Sequence, residues 1–417
     1  MMSDKLPFSP ARRRLLKSLA AGLPALGRSQ GEKLPPVRAI TRGPKFHWFG
    51  YYDKLQFDPS GRYALGMEVD FEHRSPRPDD AIKVGMVDLQ DGDRWIELGE
   101  SRAWNWQQGC MLQWLPGSRT EVIWNDRQDG QFVSYVVNVK SGKKRTLPGP
   151  VYAVSPDARW AVYPDFRRLN DTRPGYGYTG LADPNKDVLV PENAGIWRMD
   201  LESGERKLIL SFAGAARVPY TAGDWTGAKH WFNHLLFSTG GARFIFLHRW
   251  RGRKEGTSFA TRMFTANRDG KELYVLDPYG RTSHFIWRDP DHVLAWAWHP
   301  SRGEKFYLYR DRTAEVEAVG PDVMTVNGHC TYLPGNRWIL NDTYPDRDRN
   351  QNPYLYRVAT GDRYPLGHFH SPAPYTGEWR CDTHPRSSPD GKKVVIDSPH
   401  GGNGRQMYLI DIGAMVG

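Results

Sequence analysis

The stretch LQFDPSGRYALGMEV, residues 55–69, combines a short strand, a Pro/Asp/Gly turn and a second, largely apolar strand. The same pattern returns six times, in LQWLPGSRTEVIWND (112–126), YAVSPDARWAVYPDF (152–166), LLFSTGGARFIFLHR (235–249), HFIWRDPDHVLAWAW (284–298), TYLPGNRWILNDTYP (331–345) and PRSSPDGKKVVIDSP (385–399). Each copy is followed by a third strand and by a turn that leads to a fourth strand. The chain is therefore a repeat of one four-stranded unit.

This repeat predicts an all-β fold, a seven-bladed β-propeller of four-stranded blades. A single four-stranded sheet cannot bury both of its faces, whereas radial stacking buries them between neighbouring sheets. Two separate β-sandwiches are the alternative, but they do not explain seven copies of one turn. We predict blades near residues 45–100, 104–147, 150–211, 229–276, 282–319, 327–366 and 380–412, within a propeller domain of residues 45–417.

The N-terminal residues are predicted to lie outside the propeller. ARRRLLKSLAAGLPALG (11–27) places consecutive arginines before a short apolar run with small residues, an order that resembles a twin-arginine export signal over residues 1–28. A disordered basic tail is the alternative. Residues 29–44 are read as a linker, and the segment near 33–44 is a candidate for the strand that closes the last blade. The mature protein is therefore expected in the periplasm or outside the cell.

Composition limits the range of partners. The net charge is +10, and residues 1–28 hold six basic residues and one acidic residue, so about half of this charge belongs to the predicted signal. The remaining mild basicity suits an acidic ligand. No apolar segment is long enough to span a membrane, and three cysteines without a CxxC pair exclude a disulfide scaffold or a zinc ribbon. We expect a monomer that has no membrane span and does not bind nucleic acid.

Histidines recur at one position of the inner strands. Five residues before the turn the chain has a histidine in blades 4, 6 and 7, and six residues before the turn it has one in blade 5: His234, His329, His384 and His284. The same position holds Lys54, Met111 and Val151 in blades 1 to 3. Because inner strands line the channel of a propeller, the four imidazoles are predicted to converge on a divalent metal ion. Zinc or manganese is favoured, with calcium as a further option.

Other interpretations of this position remain open. Four unrelated histidines in a polar, water-filled channel would give the same spacing. Cys330 and Cys381 lie beside two of the histidines and are candidate ligands, or partners in a disulfide bond.

Blades 1 to 3 carry aromatic, amide and basic residues instead of the histidine. Aromatic faces stack on sugar rings and arginines hold carboxylates, so an acidic sugar is predicted to bind here. Packing between blades is an equal alternative for the tryptophans, and a solvated surface for the arginine pair. The candidates are His47, Tyr52, Trp106, Gln107, Gln108, Tyr152, Arg167 and Arg168.

With these residues the chain resembles the exported β-propeller polysaccharide lyases, the oligogalacturonate and ulvan lyase families. The resemblance covers roughly residues 45–412 and depends on the blade-start histidines and on FGYYDKLQFDPSGRY, WNWQQGCMLQWLP and HPRSSPDGKKVVIDS. It implies cleavage of uronate-containing chains by β-elimination, with a metal ion in the channel. It also implies a catalytic tyrosine and basic residue, which Tyr152 and Arg168, expected on adjacent strands of blade 3, match. The sequence departs from the ulvan lyases where a second-blade histidine is replaced by Gln107 or Gln108.

The resulting hypothesis is a polysaccharide lyase acting on an acidic polysaccharide or oligosaccharide. Arg168 would hold the carboxylate, Tyr152 would transfer the proton, and His47 or Gln108 would orient the chain. A non-catalytic periplasmic propeller similar to TolB is one alternative, although it would not need four axial histidines. A propeller glycoside hydrolase is another, and would need paired carboxylates. No GxSxG motif or Gly-rich phosphate loop is present.

Overall fold

The repeated turn folds as a tight connection between two antiparallel strands. In the first repeat the carboxylate of Asp58 accepts hydrogen bonds from the backbone N–H groups of Ser60 (3.0 Å) and Tyr63 (2.7 Å). Gly61 adopts a positive φ of 69° at the tip, a conformation that glycine adopts without steric cost. The Asp/Gly signature of the sequence therefore has a direct structural cause.

The computed structural model describes residues 33–252 and 259–417. Within these ranges the strands form seven four-stranded antiparallel sheets arranged in a ring, and the predicted seven-bladed β-propeller is confirmed. In blades 1 to 6 the strands are ordered as in the chain, with the first strand innermost.

The strands up to blade 4 are β1 (Val37–Ala39); β2 (Phe46–Trp48), β3 (Tyr63–Val69), β4 (Ile82–Asp88) and β5 (Arg94–Ser101) in blade 1; β6 (Gln113–Trp114), β7 (Glu121–Gln128), β8 (Gln131–Asn138) and β9 (Lys144–Leu147) in blade 2; β10 (Ala153–Val154), β11 (Trp160–Pro164), β12 (Gly195–Asp200) and β13 (Arg206–Ser211) in blade 3; β14 (Lys229–Phe237), β15 (Arg243–Arg251), β16 (Ala260–Asn267) and β17 (Tyr274–Asp277) in blade 4.

The remaining strands are β18 (Phe285–Trp287), β19 (His292–His299), β20 (Gly303–Arg310) and β21 (Val316–Ala318) in blade 5; β22 (Thr331–Tyr332), β23 (Trp338–Asn341), β25 (Tyr354–Arg357) and β26 (Arg363–Pro365) in blade 6; β28 (Arg386–Ser387), β29 (Lys393–Ser398) and β30 (Gln406–Asp411) in blade 7; and β24 (Asn350–Gln351) with β27 (Phe369–His370) in a separate pair. The helices in the described ranges are α1 (Phe166–Thr172), α2 (Phe212–Ala216) and α3 (Gly413–Val416), with a 3₁₀ turn at Gly377–Trp379. None of these helices has the length and apolar character needed to cross a membrane.

The outermost strand of blade 7 comes from the other end of the described chain. β1 pairs antiparallel with β30, with Val37 opposite Ile410 and Ala39 opposite Tyr408. β1 thus lies in the segment 33–44 that the sequence offered as the closing strand, and its pairing with β30 covers an edge that would otherwise be exposed. The predicted export signal, residues 1–28, lies outside the described residues.

The blades pack through large apolar side chains. Trp48, Trp104 and Trp106 form one cluster between blades 1 and 2, with ring centroids 5.1–5.7 Å apart. Because the strands alternate in direction, the segments that enter the inner strands lie at the same end as those joining the second and third strands. The loops around residues 165–194 and 366–385 therefore meet at one end of the channel.

A buried histidine pair in blade 4 leads to a prediction about acid stability. His230 Nδ1 lies 2.8 Å from His248 Nε2, and Arg262 Nε donates to His248 Nδ1 at 3.2 Å. Burial, together with Arg262 and Arg168, lowers the pKa of His230 from 6.5 to about 4. The unfolded chain therefore binds a proton more readily than the folded chain between these values, and the free energy of unfolding decreases as the pH falls through this window.

We expect the loss attributable to His230 to be on the order of 3 kcal/mol by pH 4. Urea midpoints measured across this pH window should fall less steeply for a His230→Gln variant than for the unmodified protein. Parallel curves for the two proteins would show that His230 does not contribute to acid sensitivity.

Candidate functional site

Three of the four predicted channel histidines lie side by side. The ring centroids of His284 and His329 are 4.1 Å apart, and those of His329 and His384 are 4.2 Å apart. All three are buried. The inner strands of blades 5, 6 and 7 therefore bring imidazoles to one level of the channel, as the shared spacing predicts.

A single carboxylate orients two of these histidines. Asp342, fully buried, accepts hydrogen bonds from His329 Nδ1 (2.9 Å), from the backbone N–H of His329 (2.7 Å) and of His384 (3.2 Å), and from Thr383 Oγ1 (2.6 Å). Because Nδ1 of His329 faces this carboxylate, Nε2 is the nitrogen left free to bind a ligand. This is the usual arrangement behind a metal-ligating histidine.

The free nitrogens define a group that fits a metal ion. Nε2 of His329 and Nε2 of His384 are buried and find no hydrogen-bond partner in the described part of the chain. Ligand atoms of His329, Asp382 and His384 lie within 4.8 Å of one another. Two imidazoles and a carboxylate are ligands that zinc and manganese accept, so the residues present suit a divalent ion.

Asp382 was absent from the sequence-based ligand set. It precedes His384 by two residues, in a segment before β28 that has no regular secondary structure and in which His384 adopts a positive φ of 39°. This short spacing from His384 is the sequence feature from which Asp382 could have been predicted. Its Oδ2 accepts from Arg380 Nε at 2.7 Å.

His284 lies next to this group without belonging to it. Its Nδ1 is 3.1 Å from Asn327 Oδ1, and its Nε2 is 3.5 Å from the Tyr344 hydroxyl. Burial, followed by the charges of neighbouring histidines and Arg380, lowers the pKa of His284 well below its ordinary value. His284 is therefore neutral at physiological pH.

His234 is separated from the other three histidines. It adopts a positive φ of 50°, where β14 has an irregular register, and its ring stacks on Phe285 at 3.9 Å. Its Nδ1 faces the Tyr51 hydroxyl (3.4 Å) and its Nε2 faces Asp53 Oδ2 (3.2 Å). Both ring nitrogens of His234 thus have partners. His234 does not belong to the set of His329, Asp382 and His384, here called the metal-ligating group.

Tyr51 and Tyr52 lie among the channel histidines, and Tyr52 is the one predicted from the sequence. The ring of Tyr52, predicted to contact substrate, lies 5.3 Å from that of His329 and 5.6 Å from that of His234. Its hydroxyl donates to the backbone carbonyl of Phe285 at 2.9 Å, and its side chain is buried. Tyr52 therefore packs against the histidines as part of their support.

The cysteines take no part in the ligand group. Cys110, Cys330 and Cys381 are all buried, unpaired thiols, so the disulfide considered for Cys330 and Cys381 is not formed. Burial raises the pKa of Cys330 and of Cys381 far above the ordinary value of a thiol. Both remain protonated, which makes them poor ligands.

Tyr176 lies between two arginines beside the metal-ligating group. Arg380 Nη2 donates to its hydroxyl at 2.6 Å, and the guanidinium of Arg173 lies 4.0 Å from its ring centroid. Burial alone would raise the pKa of Tyr176, but the charges of Arg173 and Arg380 outweigh it, and the pKa is lowered. Tyr176 is therefore the tyrosine whose surroundings favour the tyrosinate.

Tyr152 has the opposite character. Its hydroxyl accepts from Gln108 Nε2 at 2.7 Å, which brings together two residues singled out from the sequence. Burial, with added repulsion from Tyr51 and Asp53, raises the pKa of Tyr152 well above its ordinary value. Tyr152 keeps its proton and can act as a donor.

Arg168 does not lie where the sequence placed it. β11 ends at Pro164, and Asp165 caps α1 by accepting from the N–H of Arg167, so Arg168 lies in a helix and not on a strand beside Tyr152. Its guanidinium donates to the carbonyls of His230 (3.0 Å) and Leu189 (2.7 Å) and contacts Asp183 (3.3 Å). These protein acceptors occupy the positions that a substrate carboxylate would need.

The remaining sequence candidates have structural partners. His47 is held by Gln406 and Glu68, each at 3.0 Å. Trp106 donates from Nε1 to the carbonyl of Arg74 (2.7 Å), and Gln107 donates to the carbonyls of Glu378 (2.9 Å) and Arg380 (3.1 Å). Gln107 therefore supports the segment that carries Arg380. The guanidinium of Arg167 is paired with the carboxylate of Asp165.

Arg173 and Arg249 contact one phenylalanine, and of the two only Arg249 was missed by the sequence. Arg249, 6 % exposed, and Arg173 lie 4.8 and 4.7 Å from the ring centroid of Phe259. Within residues 33–252 and 259–417, Nε and Nη1 of Arg249 and Nη1 of Arg173 find no hydrogen-bond acceptor. A buried guanidinium with open donors is suited to an anionic group of a ligand.

The comparisons with known proteins point to the same architecture. An oligogalacturonate lyase in complex with manganese superposes with a TM-score of 0.63 at 16 % identity, covering 91 % of this chain and 93 % of that chain. An oligogalacturonate lyase from Vibrio parahaemolyticus superposes with a TM-score of 0.63 at 14 % identity, covering 90 % and 93 %. The chain shares its fold with oligogalacturonate lyases.

More distant propellers are also similar. TolB from Acinetobacter baumannii aligns with a TM-score of 0.40 at 13 % identity, covering 84 % of this chain and 80 % of that chain. No protein-family model matches the chain, and no curated protein matches it. The likeness to the lyases therefore establishes the propeller fold, and the activity has to be argued from the site.

Proposed function

We propose that the protein is a polysaccharide lyase that cleaves a uronate-containing polysaccharide or oligosaccharide by β-elimination. The observation that carries the proposal is the metal-ligating group of His329, Asp382 and His384, with Tyr176 and its two arginines beside it. The fold shared with two oligogalacturonate lyases, one of them a manganese complex, supports this choice of chemistry.

The reaction requires positive charge at the uronate carboxylate. Removal of the proton at C5 places negative charge on that carboxylate as the enolate forms. A divalent ion held by His329, Asp382 and His384 would supply a Lewis acid for this charge. Arg173 and Arg249, whose open donors flank Phe259, replace Arg168 as the residues that bind the carboxylate.

Two tyrosines divide the proton transfers. Tyr176 accepts the C5 proton, because Arg173 and Arg380 stabilise its anion. Tyr152 retains its own proton and donates it to the leaving oxygen, with Gln108 holding the hydroxyl in place. Pairs of titratable groups whose environments push their pKa values apart are the usual arrangement for an acid and a base.

We expect this enzyme to be exported from the cytoplasm. The twin-arginine-like segment of residues 1–28 supports it, and an acidic polysaccharide outside the cytoplasm is the partner that the chemistry requires. Neither nucleic acid nor a membrane takes part in this scheme.

The proposal is tested by incubating the protein with a panel of uronate polysaccharides and following the ultraviolet absorbance of the unsaturated product. Elimination creates this double bond and hydrolysis does not. We expect product that disappears after dialysis against a chelator and returns with manganese or zinc. Saturated products would indicate a hydrolase, and no turnover by metal-loaded protein on any polymer of the panel would leave a binding propeller.

The carboxylate site gives a specific expectation. Arg249→Met keeps the bulk of the side chain but removes the charge, and hydrogen bonds to charged groups contribute about 1.5–3 kcal/mol. We expect kcat/KM to fall by about 10- to 100-fold, mainly through KM. Substrate affinity should then differ little between acidic and methyl-esterified oligosaccharides. An unchanged preference for the acidic form would show that Arg249 does not contact the carboxylate.

A further inference from the structure

A groove between blades 2 and 3 lies outside the channel site. It encloses about 450 Å³ and is lined by the start of β8, the end of β11, the start of α1, and parts of β12 and β13. Its walls include the half-buried indole of Trp197 and the exposed amides of Gln131 and Asn193. An aromatic face beside exposed amide groups is a surface on which a sugar ring can stack and form hydrogen bonds.

The groove also carries an arginine that has no acidic partner. Among the described residues Arg206 forms no ion pair, and its guanidinium forms a hydrogen bond with the hydroxyl of Tyr163. Gly149 makes room for it, because a Cβ at that position would lie 2.9 Å from both Arg206 Cδ and Tyr163 Oη. By contrast, Arg167, which also lines the groove, is paired with Asp165 through two hydrogen bonds. The groove therefore has one uncompensated positive charge.

Helix α1 connects the groove to the channel site. Asp165 and Arg167 line the groove at its start, and Arg173 follows its last residue and contacts Tyr176. Seven residues at about 1.5 Å per residue separate the two positions by about 10 Å. Both lie at the end of the propeller where the 165–194 loop emerges, so one extended oligosaccharide is able to contact both.

We propose that this groove is a second binding site for a uronate residue, with the sugar ring on Trp197 and its carboxylate on Arg206. The ligand is a longer acidic oligosaccharide whose reacting bond lies in the channel, and this part of the inference rests on the proposed lyase function. The groove then confers a preference for longer chains, since a disaccharide held in the channel does not reach it.

Binding to metal-free protein, in which no turnover occurs, tests the groove directly. Calorimetry would compare di- and hexasaccharides of galacturonate, glucuronate and mannuronate, and the methyl ester of each hexasaccharide. We expect at least one hexasaccharide to bind more tightly than its disaccharide. Trp197→Ala and Arg206→Ala should each weaken that hexasaccharide by about tenfold or more, and Arg206→Ala should have little effect on the methyl ester.

Lys207→Ala is the matched control, because Lys207 is exposed, adjacent to Arg206 and on the opposite face of β13. Its hexasaccharide affinity should be unchanged. The groove is excluded if no hexasaccharide binds the unmodified protein, or if both groove variants bind it as tightly as Lys207→Ala does. If the groove variants weaken binding but the protein forms no unsaturated product, the lyase proposal is wrong and the groove proposal stands. If unsaturated product forms but the groove variants bind normally, only the groove proposal is wrong.

Discussion

The His384→Ala variant is expected to bind no divalent ion and to lose lyase activity by about a hundred- to a thousandfold or more. His384 supplies one of two buried imidazole nitrogens that have no partner among the described residues, and Asp382 and His329 alone cannot complete the ligand group. Metal content after dialysis against manganese or zinc, measured by elemental analysis, gives a readout that is independent of catalysis.

Two further histidine variants make this measurement decisive. His234→Gln should retain the ion, because both nitrogens of His234 already face Tyr51 and Asp53. His292→Gln is the control for general effects of removing a histidine. His292 is the first residue of β19 and pairs with Asp289. If His234→Gln loses the ion as completely as His384→Ala does, the four-histidine site predicted from the sequence is correct and the group described above is incomplete. If His384→Ala keeps the ion, the site is wrong.

Tyr176→Phe is expected to lower the elimination rate by about 10²- to 10⁴-fold while leaving metal content and folding intact, because it removes the proposed general base. The lowered pKa of Tyr176 implies that activity rises with pH as the tyrosinate forms, and that this rise is absent from the residual activity of the variant. The measurement is a pH profile of kcat on the best substrate of the uronate panel.

Tyr178→Phe provides the matched control, since its hydroxyl bonds Asn125 and its ring stacks on Phe166. It should reduce stability modestly without changing the shape of the pH profile. A Tyr176→Phe enzyme with normal kcat would remove this residue from the mechanism. Normal kcat in Tyr152→Phe would do the same for the proposed proton donor.

The fold was predictable because it depends on local chemistry that is repeated. A turn such as DPSG specifies its own geometry through the Asp58 carboxylate and the positive φ of Gly61, and seven such turns determine the number of blades. The same repetition located the channel histidines, since equivalent positions in equivalent blades lie at one level.

The direction of each side chain was less predictable. His234 matches the spacing of His329 and His384, yet its partners are Tyr51 and Asp53, because contacts in the channel decide which neighbours a ring meets. Asp382 was not predicted because only one position per blade shares the histidine spacing, whereas the irregular segment before β28, with a positive φ at His384, brings a second side chain to the same point.

The arginines illustrate a different difficulty. Arg168 was expected on a strand adjacent to that of Tyr152, although Asp165, which follows the apolar residues of β11, is a typical helix N-cap. Arg249 lies near the end of β15, RFIFLHRWR, where nothing in the sequence separates a paired guanidinium from an unpaired one. That distinction depends on which acceptors the other strands and loops bring near.

The pairing of β1 with β30 connects the candidate metal site with closure of the ring. His329 belongs to blade 6, and Asp382 and His384 precede the inner strand of blade 7, the sheet that the first described strand completes. The ligands therefore lie where blade 6 meets the blade that closes the ring. An ion that binds this closed form and not the open one stabilises it by mass action, so ring closure and metal affinity are linked functions.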